Sequence, residues 1–483
     1  MQRYRKYERT LIFLLYKAAL QVFPQGRLKV MHSLGKAIYC ELDLGRALTA
    51  EDVAALEKEM RRMQQEGAPI YEHTVKCSDV LRHCQYEHDE RESHRLETVD
   101  LEYITVYQCG DTIDYYFGPL LQNIKELTCF GLQHYAPGFL LRLPEPENME
   151  ELPEYQEIPK FARVFLEAEE WSRILQCQYV SDLNTYIEKG RIEEIVDMAE
   201  ALQEKKLAST ADFIAGQKPK IKLVLVSGPS SAGKTTFCRR LLTQMKVNGM
   251  RPIMISLDDY FHEWRDTPKN EAGEYDFESL DAMDIELLNQ QLNDLLAGKS
   301  VRLSRFDFKT GQRLFDKELT SVEQGQPIIV EGLHALNDRL TYTIPRYEKA
   351  KIYLGALTQI RINDRNRIST TDTRLLRRMV RDSQFRNKDS EETLKMWRSV
   401  RKGEEENIFP FQEDADIVFN TALAYELCVL KKYALPLLSK VRPSSPYYIE
   451  ARRLLLFLMP FKILEEDIVP RNSLLREFIG MKK

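Results

Sequence analysis

IKLVLVSGPSSAGKTTFCRRLLTQMKVNGMRPIMISLDDYF, residues 221–261, decides the fold. Five of its first six residues are apolar and most of those are β-branched, which suits a strand buried on both faces of a parallel sheet. Gly228-Pro229-Ser230-Ser231-Ala232-Gly233-Lys234-Thr235 follows and matches the phosphate-binding pattern G-x-x-x-x-G-K-[ST]. The two glycines let the backbone turn tightly, so that its N–H groups converge on phosphate oxygens. Lys234 can reach the β- and γ-phosphates as a point charge. Thr235 offers a hydroxyl to Mg²⁺ and opens a helix predicted over 235–247, whose N-terminus favours anions.

A second buried strand is predicted over 252–257, ending in Asp258-Asp259-Tyr260-Phe261. A carboxylate at a strand's C-terminal end, one βαβ unit after the phosphate loop, sits beside the γ-phosphate in this architecture. A kinase acting on a hydroxyl needs an acceptor for its proton and ligands for Mg²⁺. Asp258 can serve both, although Asp258 and Asp259 can also cap the segment that follows.

The chain has 483 residues, room for two to four domains, with 43% hydrophobic and 30% charged residues. A net charge of −5 gives no global attraction to nucleic acid or an anionic membrane. Eight cysteines without a C-x-x-C pair read as reduced thiols in a cytoplasmic protein. No apolar run approaches the length of a membrane span. The basic residues up to Arg9 and the apolar run at 11–15, broken by Lys17, read as an amphipathic helix rather than a signal peptide.

Helices are predicted over 4–23 and 51–65, and strands over 28–31, 37–44, 70–75 and 104–107, with a weaker strand signal at 115–117. These make an α+β unit of about 145 residues. It resembles the second additional domain of threonyl-tRNA synthetases in three stretches: Leu20-Gln21-Val22-Phe23-Pro24, Leu48-Thr49-Ala50-Glu51-Asp52, and Tyr107-Gln108-Cys109-Gly110 with Ile113-Asp114-Tyr115-Tyr116-Phe117-Gly118-Pro119. In that family the domain hydrolyses mischarged amino acids with a His-x-x-x-His pair and a later Cys/His pair. The matching positions fall near Arg9 and Phe13, and near Tyr116 and Leu120, which cannot supply imidazole or thiolate. The resemblance therefore implies the fold without the editing chemistry. His83, Cys84, His88 and His94 cluster in a polar stretch whose spacing matches no familiar zinc finger, so it reads as an exposed charged loop.

The proline-rich acidic stretch 144–159 marks a boundary, and 160–217 reads as mostly helical. Beyond it, six landmarks occur in order: residues 228–236, which include Thr236; the strand ending Asp258-Asp259; Tyr275-Asp276-Phe277-Glu278-Ser279-Leu280-Asp281; Arg305-Phe306-Asp307-Phe308; Ile328-Ile329-Val330-Glu331-Gly332; and Arg374-Leu375-Leu376-Arg377-Arg378 with Arg381. Together they resemble the uridine kinase and phosphoribulokinase family of P-loop kinases over about 218–420. The resemblance implies Asp258 as the base and Thr235, Asp258 and Glu331 around Mg²⁺. It implies Glu278, with Asp281 beside it, and Phe306 on the acceptor side. It also implies Arg374, Arg377, Arg378 and Arg381 on a helix that closes over the triphosphate. Where the family has Tyr and His in its pyrimidine-reading segment, this chain has Phe306 and Gly311.

The expected fold is α/β: a P-loop kinase core with a doubly wound, mostly parallel sheet (218–420). Before it come the α+β synthetase-like domain (1–145) and a helical linker (146–217), and after it a helical extension (421–483). The expected activity is ATP- and Mg²⁺-dependent phosphorylation of a nucleoside 5′-hydroxyl. A phosphosugar or vitamin precursor is the alternative acceptor, and an ATP-switched RNA- or tRNA-associated regulator is the alternative class. A homo-oligomer without a membrane or nucleic-acid partner is expected.

Overall fold

Two apolar patterns, one alternating and one continuous, build separate cores. The computed structural model describes residues 2–86, 96–97, 102–218, 220–269, 273, 275–358 and 360–481. The chain divides into two units.

The first unit comprises Met1–Ile192, Thr358–Asp372 and Arg442–Leu464. Its elements are α1 (Gln2–Val22), β1 (Arg27–Leu34), β2 (Ala37–Asp43), α2 (Ala50–Glu66), β3 (Tyr71–Lys76), α3 (Cys77–Tyr86), β4 (Tyr103–Cys109), β5 (Thr112–Tyr115), β6 (Gly131–Tyr135), β7 (Gly138–Arg142), α4 (Pro159–Ile174) and α5 (Val180–Glu188). An antiparallel sheet of order β1-β2-β7-β6 and a second of order β3-β4-β5 surround a core in which Leu11, Phe13, Leu14 and Leu15 of α1 are fully buried. A capping box starts α2, with the Thr49 and Asp52 side chains each accepting the other residue's backbone N–H. No strand is predicted over 131–142, where β6 and β7 form: Gln133 and His134 break the apolar pattern of β6, and the apolar run of β7 is only Phe139-Leu140-Leu141.

The side chains at the positions that the sequence resemblance points to are held by packing and a hydrogen bond. Arg9 donates from Nη2 to the Pro119 carbonyl at 2.9 Å, and the Phe13 and Tyr116 rings meet edge to face at 6.0 Å. Phe13, Tyr116 and Leu120 are buried, so packing fills this place rather than nucleophiles or ligands.

The second unit comprises Glu193–Leu357, Thr373–Val441 and Glu465–Lys483. Its elements are α6 (Ile192–Gly216), β8 (Leu223–Ser227), α7 (Lys234–Val247), β9 (Ile253–Ser256), α8 (Ile285–Leu296), β10 (Ser304–Asp307), β11 (Gln312–Phe315), β12 (Ile328–Glu331), β13 (Lys349–Gly355), α9 (Thr370–Phe385), α10 (Ser390–Asn407), β14 (Ile417–Asn420) and α11 (Glu426–Ser439). Five parallel strands form one sheet of order β14-β13-β8-β12-β9. Leu223 and Leu225 of β8 join one core with Ile255 and Leu292, while Val224 and Val226 join another with Phe237 and Leu241. Burial on both faces explains why β8 reads as an unbroken apolar run. This is an α/β architecture built on a parallel sheet, with the phosphate-loop sequence following its central strand β8.

Residues 358–372 and 442–464 group with the first unit. Buried polar contacts hold them there. Asp364 receives Tyr179 Oη at 2.6 Å and its carbonyl accepts the Val30 N–H, while Arg453 pairs with both Asp372 oxygens. Within the expected helical extension, the helix Tyr448–Leu458 stops ahead of Pro460.

His88 and His94 lie outside the described residues, and of His83 and Cys84 only the backbone in α3 is described. Among the described residues, no disulfide forms, no three His, Cys, Asp or Glu side chains group to hold a metal ion, and no helix is long and apolar enough to cross a membrane.

Candidate active site

β8 delivers the chain into the phosphate loop at Ser227, whose hydroxyl donates to the Leu333 carbonyl at 2.5 Å. Gly228 follows because a Cβ there would meet the Leu354 carbonyl oxygen at 2.5 Å. Gly233 adopts φ +87° at the start of α7, where L side chains are strained. Lys234 folds back and donates from Nζ to the Gly228 carbonyl at 2.8 Å. Pro229, Ser230, Ser231 and Ala232 form the loop between, and Thr235 and Thr236 lie on the first turn of α7.

The parallel register brings the carboxylates to this loop. Glu331, the last residue of β12, stands opposite Val226 of β8 and Ser256 of β9. Its Oε1 accepts the hydroxyls of Thr235 and Ser256, each at 3.3 Å. Burial pushes Glu331 up to about 7; Lys234 opposes that rise, while Asp258 and Glu477 add to it. Asp258 follows β9 and keeps an exposed face. The surrounding protein still removes enough water to raise its carboxyl, outweighing the nearby Lys234 ammonium. Asp259 is committed elsewhere: Arg305 Nη1 pairs with it at 2.7 Å and the Phe306 N–H donates to it at 3.3 Å.

The arginines of α9 divide into two kinds. Arg374 and Arg377 are almost completely buried. Arg374 makes a two-pronged pair with Glu404 at 2.5 and 2.8 Å and also donates to the Ser230 carbonyl at 3.1 Å. Arg377 pairs with Glu426 at 2.6 Å and donates to the Thr421 and Ser231 carbonyls. These two brace the outside of the loop through its carbonyls, whereas the sequence puts them on a closing lid. Arg378 reaches the loop differently, donating to Ser230 Oγ at 2.8 Å. The Nε atoms of Arg378 and Arg381 are buried and make no hydrogen bond among the described residues. Burial, then Arg386, lowers the Arg381 guanidinium to about 10.

On the acceptor side, Phe306 is buried among Phe261, at 5.9 Å between centroids, and Phe308, at 4.9 Å. Glu278 packs against Gly403, where an added Cβ would come within 2.5 Å of the Glu278 Cβ. Burial and then Glu404 push the Glu278 carboxyl up to about 7. Asp281 does not join this group; its side chain is 75% exposed, 4.0 Å from Arg339. Gly311, at φ +68°, has Trp264 over it: a Cβ would fall 2.1 Å from the indole ring. An imidazole cannot stand at position 311 because the Trp264 ring already fills that space.

Four functional neighbours escape a sequence reading: Glu404, Glu426, His334 and Glu477. Glu404 lies in the charged run Arg401-Lys402-Gly403-Glu404-Glu405-Glu406, which reads as a solvated helix face. In the structure it is fully buried, and its Oε1 accepts the Ser230 N–H at 2.9 Å. Burial alone would raise its carboxyl, but Arg374 outweighs burial and holds it below the ordinary value. His334, three residues past Glu331, is buried with neither ring nitrogen hydrogen-bonded among the described residues, and burial pulls it down to about 4.

With this geometry in place, known proteins show what the second unit is similar to. Residues 223–426 match the model of the Phosphoribulokinase / Uridine kinase family. Uridine kinase of Halobacterium salinarum is 28% identical over 194 residues, 40% of this chain and 77% of that protein. Uridine kinase of Ligilactobacillus salivarius is 28% identical over 206 residues, 42% of this chain and 87% of that one. Uridine kinase-like protein 5 of Arabidopsis thaliana is 28% identical over 197 residues, and the match spans only 37% of its length. Among solved structures, one described as a possible uridine kinase from Bacillus stearothermophilus aligns at 18% identity and a TM-score of 0.31, covering 45% of this chain and 98% of that one.

Proposed function

We propose that the chain is a kinase that transfers the γ-phosphoryl group of ATP to a hydroxyl of a nucleoside. The observation that carries this reading is the convergence of Lys234, Thr235, Asp258 and Glu331 at the C-terminal ends of β8, β9 and β12. The match of residues 223–426 to a kinase family supports the reaction class.

Bound ATP supplies the phosphoryl group, and Mg²⁺ offsets the negative charge of its phosphates. Thr235 and Glu331 offer hard oxygen ligands at one point, as Mg²⁺ requires when phosphates and water complete its shell. Burial raises Glu331 most, and Asp258 and Glu477 add a negative field that a divalent cation would relieve. Lys234 lies in the loop with its ammonium 2.8 Å from the Gly228 carbonyl, a contact it can exchange for phosphate oxygen. Arg378 reaches the same loop through Ser230 Oγ, and the Asp382 carboxylate lies 3.3 Å from its Nε and 3.7 Å from that of Arg381. Asp258, with its raised carboxyl, takes the proton of the acceptor hydroxyl.

A second acceptor class, a phosphosugar or other small hydroxylated compound, is favoured by one observation. The Phe306 ring and the Trp264 indole over Gly311 stand where the resembled family has a phenol and an imidazole to read a base edge. The test is mass-spectrometric detection of phosphorylated product with Mg-ATP across nucleosides, sugar phosphates and hydroxylated vitamins. A phosphorylated nucleoside as the dominant product is the expected outcome. Product only from non-nucleoside acceptors would move the assignment to the second class, and no product from any acceptor would overturn the kinase reading.

A further inference from the structure

The phosphate loop is already in contact with an anion from its own chain. Glu477 Oε2 accepts the backbone N–H of Thr236 at 3.1 Å. Thr236 lies in the first turn of α7, where helix N–H groups lack intrahelical partners and favour negative charge. Leu474, three residues earlier, lies against the loop: a Cβ on Gly233 would come within 2.5 Å of its Cδ2.

The segment that carries these side chains is firmly seated. Leu475 and Phe478 are fully buried, and the Phe478 ring lies 5.0 Å from the Arg377 guanidinium carbon. Arg476 donates to the carbonyls of Glu466 at 2.9 Å and Val469 at 2.5 Å. Glu477 itself stays only partly buried, between that packed turn and the loop. Its charge also adds to the crowding that raises Glu331.

We propose that residues 473–480 are an intramolecular occupant of the phosphate-binding loop, with the Glu477 carboxylate held at an anion seat that nucleotide phosphate must take from it. The proposal rests on reading the loop as a nucleotide site. The physical argument is exclusion: one N–H cannot serve a carboxylate and a phosphate together, and two anions beside Glu331 repel each other. Molecules with the segment seated are therefore not competent to bind, and apparent affinity falls by the competent fraction. Linkage then requires the reverse effect, that bound nucleotide loosens the segment.

The test measures Mg-ATP affinity by titration calorimetry on the full chain and on Glu477→Gln, which keeps the side chain's shape and removes its charge. Binding about tenfold tighter in the variant is expected, the shift that follows when a seated fraction of about nine-tenths is released. Leu474→Ala, which keeps the carboxylate but removes the contact that holds it over Gly233, is expected to shift affinity in the same direction. Hydrogen exchange at the amides of 473–480 is expected to speed up when Mg-ATP is added to the unaltered chain. Equal affinities with unchanged exchange would overturn the proposal and leave the loop a nucleotide site. Weaker binding in Glu477→Gln would overturn it too, by assigning Glu477 to the nucleotide-bound state. Absence of binding in all three proteins would overturn the reading of the loop itself.

Discussion

Asp258 and Glu404 are two carboxylates in one unit with opposite roles, set by their partners. Asp258 is lifted by its surroundings and keeps an open face, which suits a group that must accept a proton. Asp258→Asn is expected to leave nucleotide affinity close to normal and to lower turnover by about 10²–10⁴. The acid limb of the kcat/KM profile, which reports the free enzyme, is expected above the ordinary carboxylate range of about 4 and to change shape in that variant. A limb at the same position in both proteins would remove Asp258 as the base. Glu404 is held charged by Arg374 in a buried pair. Glu404→Gln leaves that guanidinium without its countercharge, and a loss of about 3–5 kcal/mol is expected in chemical denaturation. It also weakens the brace that Arg374 provides at the Ser230 carbonyl. Glu331 adds a pH dependence with a definite sign. Its carboxyl rises from 4.5 to about 7 on folding, so the folded chain binds its proton more tightly than the unfolded chain does. Without Mg²⁺, stability is therefore expected to decline as pH rises through that window, and Mg²⁺ is expected to bind more tightly as pH rises towards 7.

At the scale of elements, the sheet was legible and the helix partners were not. β8, β9 and β12 appear in the sequence as short apolar runs that end in Ser227, Ser256 and Glu331, because strands buried on both faces admit little else. The phosphate loop was legible for the same local reason, since its glycines answer to steric limits at Gly228 and Gly233. The arginines of α9 were legible as a cluster, but their spacing does not say which of them meet carboxylates. That depends on Glu404 of α10 and Glu426 of α11, 30 and 49 residues from Arg374 and Arg377. The aromatic contact over Gly311 shows the same limit, because Trp264 comes from a different stretch of chain. Gly311→Ala combines a left-handed backbone with an overlap on the indole, and a loss of about 1–3 kcal/mol is expected. Adding Trp264→Ala is expected to remove the steric part and leave the backbone part, a non-additivity that a double-mutant cycle reads directly. Strict additivity would mean that the indole does not fill that space.

At the scale of the molecule, two units are assembled from interleaved stretches of chain, which no local pattern announces. Residues 358–372 read as part of the kinase-like region by position, yet the buried contacts of Asp364 and Asp372 fold them with the first unit. In that unit, Arg9 is hydrogen-bonded to the Pro119 carbonyl, and Phe13, Tyr116 and Leu120 are packed in the core. The proposed chemistry lies in the second unit, where Lys234, Asp258 and Glu331 meet. The most direct measurement of that claim is ADP release by the full chain with Mg-ATP, with and without a nucleoside panel, alongside Asp258→Asn. Release that a nucleoside stimulates and that the variant lacks is expected. Release that no acceptor stimulates, or that persists unchanged in Asp258→Asn, would contradict it.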